Sequence, residues 1–433
     1  MTSHLLAAGA LAAVLSVQAG SPAERAIAAY AHAHNGDALA LLERVVNINS
    51  GTENLDGVRE VGRIFRAELD GLGFKTEWVD GAAWHRAGHL VAVHAADGPK
   101  LVLIGHLDTV FAPDSPFQKF QRIDDRTAKG PGIIDMKGGD VVIVQALKSL
   151  DAAGILKGMN VTVVMTGDEE APGEPLSMAR AALVEAARGA AAAIGFEDGP
   201  GDPRYAVTAR RGTTGWVLRV TGTPAHSSQI FRSDIGPGAI FEAARILNEF
   251  RDKMAGEEHL TFNPGLIVGG TSVEFDATAA RGTAFGKTNV VAEHAVVSGD
   301  LRTLSREQLD KAKATMEAVV KESMPHTEAT LTFDEGYPPL APTDGNARLL
   351  AMYDQGSRDH ELGAVTAVSP DKAGAADVSF VAGEAQMILD GVGLMGRDDH
   401  TTAETADLTT LPSQTVRAAV LLYRLSRGDK GAK

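Results

Sequence analysis

Three short apolar runs, each ending in an acid or a histidine, constrain this chain more than any other feature. Residues 101–104 (LVLI) run into GHLDTVF, with His106 and Asp108; residues 160–166 (NVTVVMT) run into GDEE, with Glu169 and Glu170; residues 191–196 (AAAIGF) run into Glu197. Short continuous apolar runs bounded by glycine read as buried strands of a parallel sheet, and in open α/β sheets ligand-binding groups gather beyond the carboxyl ends of the strands. Polar groups from three strands therefore collect on one edge. With Asp135, from the glycine-rich stretch GPGIIDMKGG (130–139), five carboxylates and an imidazole are expected within a few ångströms of one another. Such a cluster repels itself and raises its own pKa values, and a bound divalent ion reverses that penalty. The pattern implies a metal.

At 433 residues the chain exceeds one ordinary hydrophobic core, so two or more domains are expected. A net charge of −15 without a long basic run argues against nucleic acid or an anionic membrane as partner. The apolar stretch 5–17 followed by Val17-Gln18-Ala19 reads as a secretory signal peptide over residues 1–20, with cleavage after Ala19, although His4 is the only basic group ahead of it. The expected location is therefore periplasmic or secreted, with no membrane attachment once the leader is removed; the run is too short to span a bilayer. The chain has no cysteine, so any metal must be held by His, Asp and Glu, a donor set that suits zinc, manganese or cobalt.

Helical periodicity fills much of 21–72. Strands are expected at 74–79, 89–95, 101–106, 160–166 and 191–196, and helices over 137–150 and near 175–188, an alternation that indicates α/β architecture with a central, mostly parallel sheet flanked by helices. From Thr213 the character changes to alternating strands, a helix over 236–251, strands near 264–275 and 289–301, and a helix opened by Ser305 and Gln308 in capping-box spacing. The order βαββαβ reads as a ferredoxin-like unit. The expected division is a catalytic domain in two parts, 21–209 and 329–433, interrupted by an inserted lid or dimerisation domain, 210–328.

Residues two apart on a strand face the same way, so His106 and Asp108 project together, and a metal-bound imidazole commonly donates its other N–H to such a carboxylate. Adjacent Glu169 and Glu170 diverge, so one can bind metal while the other faces a water. Taken singly each has a plainer explanation: a turn acid beside a buried histidine, a solvated acidic pair, an acid in a glycine-rich turn. Their combination is more specific. GHLDTVF, GPGIIDMKGG, TGDEEAPG, FEDG, TPAHSS and DDHTTAE occur in this order and together resemble the dizinc hydrolase family of glutamate carboxypeptidase, acetylornithine deacetylase, succinyl-diaminopimelate desuccinylase and aminoacylase. The resemblance covers nearly the whole chain after the leader, including Asn49-Ser50-Gly51-Thr52.

The resemblance implies two zinc ions per chain, with cobalt or manganese as substitutes. His106, Asp135 and Glu197 would hold one and Asp135, Glu170 and His400 the other, Asp135 bridging. It implies Glu169 as the general base that takes a proton from a metal-bridging water as that water attacks the scissile amide, Asp108 as the group orienting His106, and His226 as an oxyanion donor, often supplied across a homodimer. Arg302 and Asn289 match positions that help bind the substrate carboxylate or carbonyl. Alanines stand in Ala373-Gly374-Ala375-Ala376-Asp377 where the family often has consecutive glycines, and Val291-Ala292-Glu293-His294 replaces a more usual Ile-Pro turn. His85, His89 and His94 lie outside the motifs and read as ordinary surface or core imidazoles; no motif requires Asp398 or Asp399. The expected function is an exported carboxypeptidase releasing a C-terminal amino acid, with a glutamate-type preference, from a small peptide or N-acyl amino acid. The alternatives are an N-acyl-amino-acid deacylase or dipeptidase, a mononuclear metal enzyme, or, from another class, a catalytically silent binding protein.

Overall fold

In the computed structural model, which describes residues 20–277 and 279–428, the three apolar runs are the inner strands of one sheet. The expected leader, residues 1–20, lies outside the described residues apart from Gly20. Five strands, β1 (Lys75–Asp80), β2 (Gly88–His94), β3 (Lys100–His106), β4 (Asn160–Thr166) and β5 (Ala192–Gly195), lie in the order β1-β2-β4-β3-β5, followed by the two-residue strand Ile388–Leu389. β3 runs parallel to both neighbours, while β1 and β2 join as antiparallel strands at one side, so the sheet is mixed but mostly parallel. Strand alternation sends Leu101 and Leu103 into one core and Val102 and Ile104 into another on the opposite face, which is why the run is apolar throughout. Helix Lys137–Ala152 packs with helices Pro22–Ala33, Asn35–Val46 and Thr410–Ser426 on the first face.

The first turn of helix Lys137–Ala152 sits against the chain leaving β5. A Cβ on Gly139 would lie 1.9 Å from the carbonyl oxygen of Phe196, so glycine here allows the Asp135 loop and Glu197 to approach. The expected helix near 175–188 is instead two short helices, Leu176–Ala179 and Ala181–Ala187, broken at Arg180. Arg180 is turned inward to bury a guanidinium among carboxylates, and that tertiary demand overrides local helix propensity.

A second sheet has its own core. β6 (Gly212–Gly222), β7 (Thr261–Gly270), β8 (Ser272–Asp276), β9 (Arg281–Phe285), β10 (His294–Thr303) and β11 (Thr327–Phe333) include a fully antiparallel four-stranded sheet in the order β7-β10-β6-β11, with β8 and β9 a separate hairpin. Helices Ala239–Met254 and Arg306–Lys321 cover one face and bury Trp216, Leu218, Ile246, Phe250 and Met316. This is the ferredoxin-like strand order. β11 pairs with β6 as far as Phe333↔Trp216, so the sheet extends past residue 328, where the sequence placed its end. The strand expected over 264–275 is two strands meeting at Thr271, and 289–293 is loop. The helix expected from 236 starts at Ala239 because Gly236 and Gly238 adopt φ of 76° and 78°. Ser305 caps its helix as expected, accepting from Gln308 N at 3.1 Å, while the Gln308 side chain accepts from Leu304 N. Two chain crossings join the units, marked by the bridges Arg210↔Leu340 and Thr213↔Tyr337. Among the described residues no helix is long and apolar enough to cross a membrane.

Candidate metal centre

His106 ends β3 and is 1% exposed. Its Nδ1 lies 3.1 Å from the backbone carbonyl of Asp108 and 3.5 Å from the Asp108 carboxylate, both acceptors, so the ring proton belongs on Nδ1. Nε2 then faces the carboxylates, 3.1 Å from Asp135 Oδ1 and 3.6 Å from Glu197 Oε1. The other Asp135 oxygen is 2.8 Å from His400 Nε2, and His400 Nε2 is 3.2 Å from Glu170 Oε2. One carboxylate thus spans two imidazoles. The chain folds this way locally because the loop carrying Asp135 wraps a buried acid: Glu404 accepts from the backbone N–H of Gly132, Ile134 and Asp135 at 2.9, 2.9 and 3.2 Å. Glu404 lies four residues after His400, so a single segment supplies both a cluster histidine and the clamp on the facing loop.

Asp108 does more than orient His106. Its carboxylate accepts from Glu169 N at 3.0 Å, Glu170 N at 3.1 Å and the Thr52 hydroxyl at 2.6 Å, while its backbone carbonyl is the group nearer the imidazole. The expected approach of the Asp108 carboxylate to the ring is present at 3.5 Å, beside these shorter bonds. A carboxylate in the β3–β4 crevice is saturated by the N–H groups of the loop leaving β4, and the strand-end carbonyl is left to the ring.

The same loop is held from its other side by a network the sequence reading missed. Arg180 donates from Nη1 to Asp168 Oδ1 at 2.6 Å, from Nε to Asp377 Oδ1 at 2.7 Å, and from Nη2 to the Tyr337 hydroxyl at 2.7 Å; Tyr337 in turn donates to the Glu169 carbonyl at 2.7 Å. His89, outside the motifs, is a core imidazole: Nε2 lies 2.6 Å from the Ala179 carbonyl and Nδ1 accepts from Gly167 N. The backbone of the Glu169 loop is held at Gly167, Asp168, Glu169 and Glu170, while the Glu169 carboxylate itself makes no hydrogen bond to a described residue.

Electrostatics mark the cluster as over-supplied with negative charge. Burial, then the Asp135 charge, pushes Glu170 up to about 7; burial pushes Glu197 up to about 7, with Asp135 adding to it; burial, with Glu197 and Asp377, lifts Glu169 well above the carboxylate range. For His106 burial alone would lower the pKa, and Glu197, Asp108 and Asp135 override it upward. Hydrogen bonds to Asp135 and Glu170 push His400 up to about 11. Glu170 Oε1 is buried without a hydrogen-bond partner among the described residues, an orphaned acceptor aimed into the cluster. Among the described residues, two donor groups could each take an ion: His106, Asp135 and Glu197, and Asp135, Asp399 and His400, the donor atoms of each lying within 4.8 Å of one another. An all-nitrogen-and-oxygen donor set with an unpaired carboxylate oxygen fits a divalent cation. Asp399 was left unassigned from the sequence; its position next to His400 was the available signal.

A cavity of about 250 Å³ opens over the cluster, its remaining walls including Asp198, Val207, Arg210, Lys372 and residues 373–376. His226, Asn289 and Arg302 do not line it. His226 and Asn289 sit side by side on the second unit, joined by the His226↔Val290 bridge and by Ser227 N donating to the Asn289 carbonyl. Both are exposed. Arg302 is at the other end of β10, opposite Thr213, and donates to Asp300 at 2.8 Å. At roughly 3.3 Å per strand residue it lies about 26 Å along the strand from His294, which borders the Asn289 loop. Within one chain these three residues do not converge on one small molecule.

The sequence profile described as Peptidase family M20/M25/M40 matches residues 102–426, a span that runs from β3 of the first sheet through the whole of the second. Carboxypeptidase G2 of Pseudomonas sp. (strain RS-16) is 26% identical over 398 residues, 89% of each chain. Among solved structures, aminopeptidase PepT from Bacillus cereus aligns with a TM-score of 0.70 at 19% identity, covering 90% of this chain and 98% of that chain. An M20 family metallo-carboxypeptidase from Sulfolobus solfataricus aligns at 0.64 and 15%, covering 90% and 99%. At those identities the structures establish the shared fold.

Proposed function

We propose, for a chain that belongs to Peptidase family M20/M25/M40 and is a metal-dependent peptidase or amidohydrolase, that it is a two-zinc carboxypeptidase releasing a C-terminal amino acid, with a preference for glutamate, from small peptides or N-acyl amino acids. The observation that carries this reading is the Asp135 carboxylate, with one oxygen on His106 and the other on His400, beside the unpartnered Glu170 Oε1. His106, Asp135 and Glu197 would hold one ion, and Asp135, Glu170 and His400 the other, with Asp399 close enough to His400 to share that duty. Bound ions supply carbonyl polarisation and a water of lowered pKa. Glu169, whose backbone is held by Asp108 and Tyr337 and whose carboxylate is uncommitted, takes a proton from the attacking water and returns it to the leaving nitrogen. Asp108 keeps Glu169 and Glu170 at their places through two N–H bonds and seats the His106 ring through its own carbonyl.

The second unit serves as lid and as dimer contact. Its edge strand β7 is half exposed, and Phe231, Ile240, Phe241, Ile267 and Phe285 are exposed apolar side chains on the same unit. His226, which does not line its own chain's cavity, would then act as an oxyanion donor for a partner copy. Arg302, near the crossings between units, would approach the substrate carboxylate on lid closure, and Asn289 would accompany His226. Export rests on the apolar N-terminal run.

The test is amino-acid release from a panel of N-acyl amino acids and C-terminally varied dipeptides, using metal-stripped protein with and without zinc. Zinc-restored release supports the hydrolase, and the preferred residue separates carboxypeptidase from deacylase and dipeptidase. No release from any member would favour a silent binding protein. The His106→Ala variant is expected to lose about one equivalent of zinc per chain, read by elemental analysis, because a structural or catalytic zinc site needs three or four protein ligands. Unchanged stoichiometry would remove His106 from the ligand set.

A further inference from the structure

The cavity over the cluster is lined by many acids, and besides the cluster's His400 the basic side chains that line it among the described residues are Arg210 and Lys372. Arg210 is committed. It is buried, its Nε and Nη2 each lie 2.7 Å from Asp390 Oδ2, and Nη1 donates to the Gly374 carbonyl at 2.8 Å. Its charge is compensated, and its role is to hold the 372–376 segment against the cavity. Lys372 ends the short 3-10 turn Pro370–Lys372 at the start of that segment. It is exposed, and its Nζ makes no hydrogen bond or ion pair with a described residue. The neighbouring acid cannot neutralise it, since Asp371 is occupied by His259 at 3.1 Å and Arg211 at 3.8 Å. An uncompensated ammonium therefore stands at the rim of a cavity whose nearby apolar surface comes from Val207, Ala373 and Ala375.

Resting on the carboxypeptidase reading above, we propose that Lys372 is a specificity-determining residue that binds the side-chain carboxylate of the released amino acid, so that the preferred substrates are N-acyl or peptidyl derivatives of acidic amino acids. A compact charge on a flexible four-carbon stem suits a side-chain anion whose distance from the scissile bond varies with its length. The α-carboxylate, fixed relative to that bond, suits the planar fork of an arginine. The same ammonium repels a substrate carrying a basic side chain, so it discriminates by rejection as well as by attraction.

Zinc-loaded wild type, Lys372→Met and Lys372→Glu are compared on N-acetylglutamate and Nα-acetyllysine. In Lys372→Met the ratio of kcat/KM for glutamate over lysine is expected to fall on the order of 10-fold, the loss of one charged hydrogen bond, with the change carried by KM for the glutamate substrate. Lys372→Glu is expected to shift the ratio further, toward lysine. Equal rises in KM for both substrates would move Lys372 to the α-carboxylate and overturn the side-chain assignment, and an unchanged ratio in both variants would overturn it outright. Calorimetric binding of glutarate to the same zinc-loaded proteins reads the site without turnover. If the wild type releases nothing, the carboxypeptidase reading fails, and weaker glutarate binding in Lys372→Met alone still upholds the carboxylate site, while equal binding rejects it.

Discussion

Glu169→Gln is expected to lower kcat by about 10²–10⁴-fold, the usual contribution of a positioned proton-transfer group, while zinc content and melting temperature stay at wild-type values. Glutamine keeps the shape of the side chain and removes only its basicity. The loop conformation does not depend on the carboxylate, because Asp108 and Tyr337 hold Glu169 through its backbone N–H and carbonyl. The side chain takes no part in the metal-ligand groups. Steady-state rates on the best substrate of the release panel, with elemental analysis and thermal melting on the same preparations, check all three expectations. Turnover at the wild-type rate would remove Glu169 from the role of base, and loss of zinc would make it a ligand instead.

Arg180→Met is expected to destabilise the fold by about 3–5 kcal/mol, the range for removing one partner from a buried ionic network. Asp168 and Asp377 are buried and would be left without their cation, and the Tyr337 hydroxyl would lose one of its two hydrogen bonds. Methionine fills much of the volume, so the loss measures uncompensated charge rather than a cavity. Urea unfolding followed by far-UV circular dichroism gives the midpoint. A midpoint indistinguishable from wild type would mean that the network contributes nothing net, as happens when desolvation cancels attraction. Arg180 is also the residue at which the expected single helix breaks, so the prediction tests whether tertiary pairing outweighs helix continuity there.

Much of the candidate site could be read from the chain because its residues sit at strand ends. A run such as NVTVVMT can only be buried on both faces, so the acids that follow it must emerge at the sheet edge, and the same holds for His106 and Glu197. The partners of those residues could not be read. Arg180 meets Tyr337 and Asp377 across 157 and 197 positions of sequence, and Glu404 reaches the Asp135 loop across 269. Nothing local distinguishes Arg180 from any other arginine between two short helices. Asp108 shows the same limit: strand alternation put it beside His106, but only the packed crevice directed its carboxylate to the N–H groups of Glu169 and Glu170.

By itself the sequence determined the inner strands of the first sheet, the ferredoxin-like element order and which acids and histidines stand at the edge of the first sheet, because burial period and motif order are properties of neighbours along the chain. The tertiary structure alone decided that β2 runs antiparallel to β4, that β11 closes the second sheet, that Lys372 lines the cavity without an ion-pair partner among the described residues, and that His226 lies far from Arg302. Those outcomes depend on which distant groups compete for the same buried charge or strand edge, and that competition is settled only when the cores assemble.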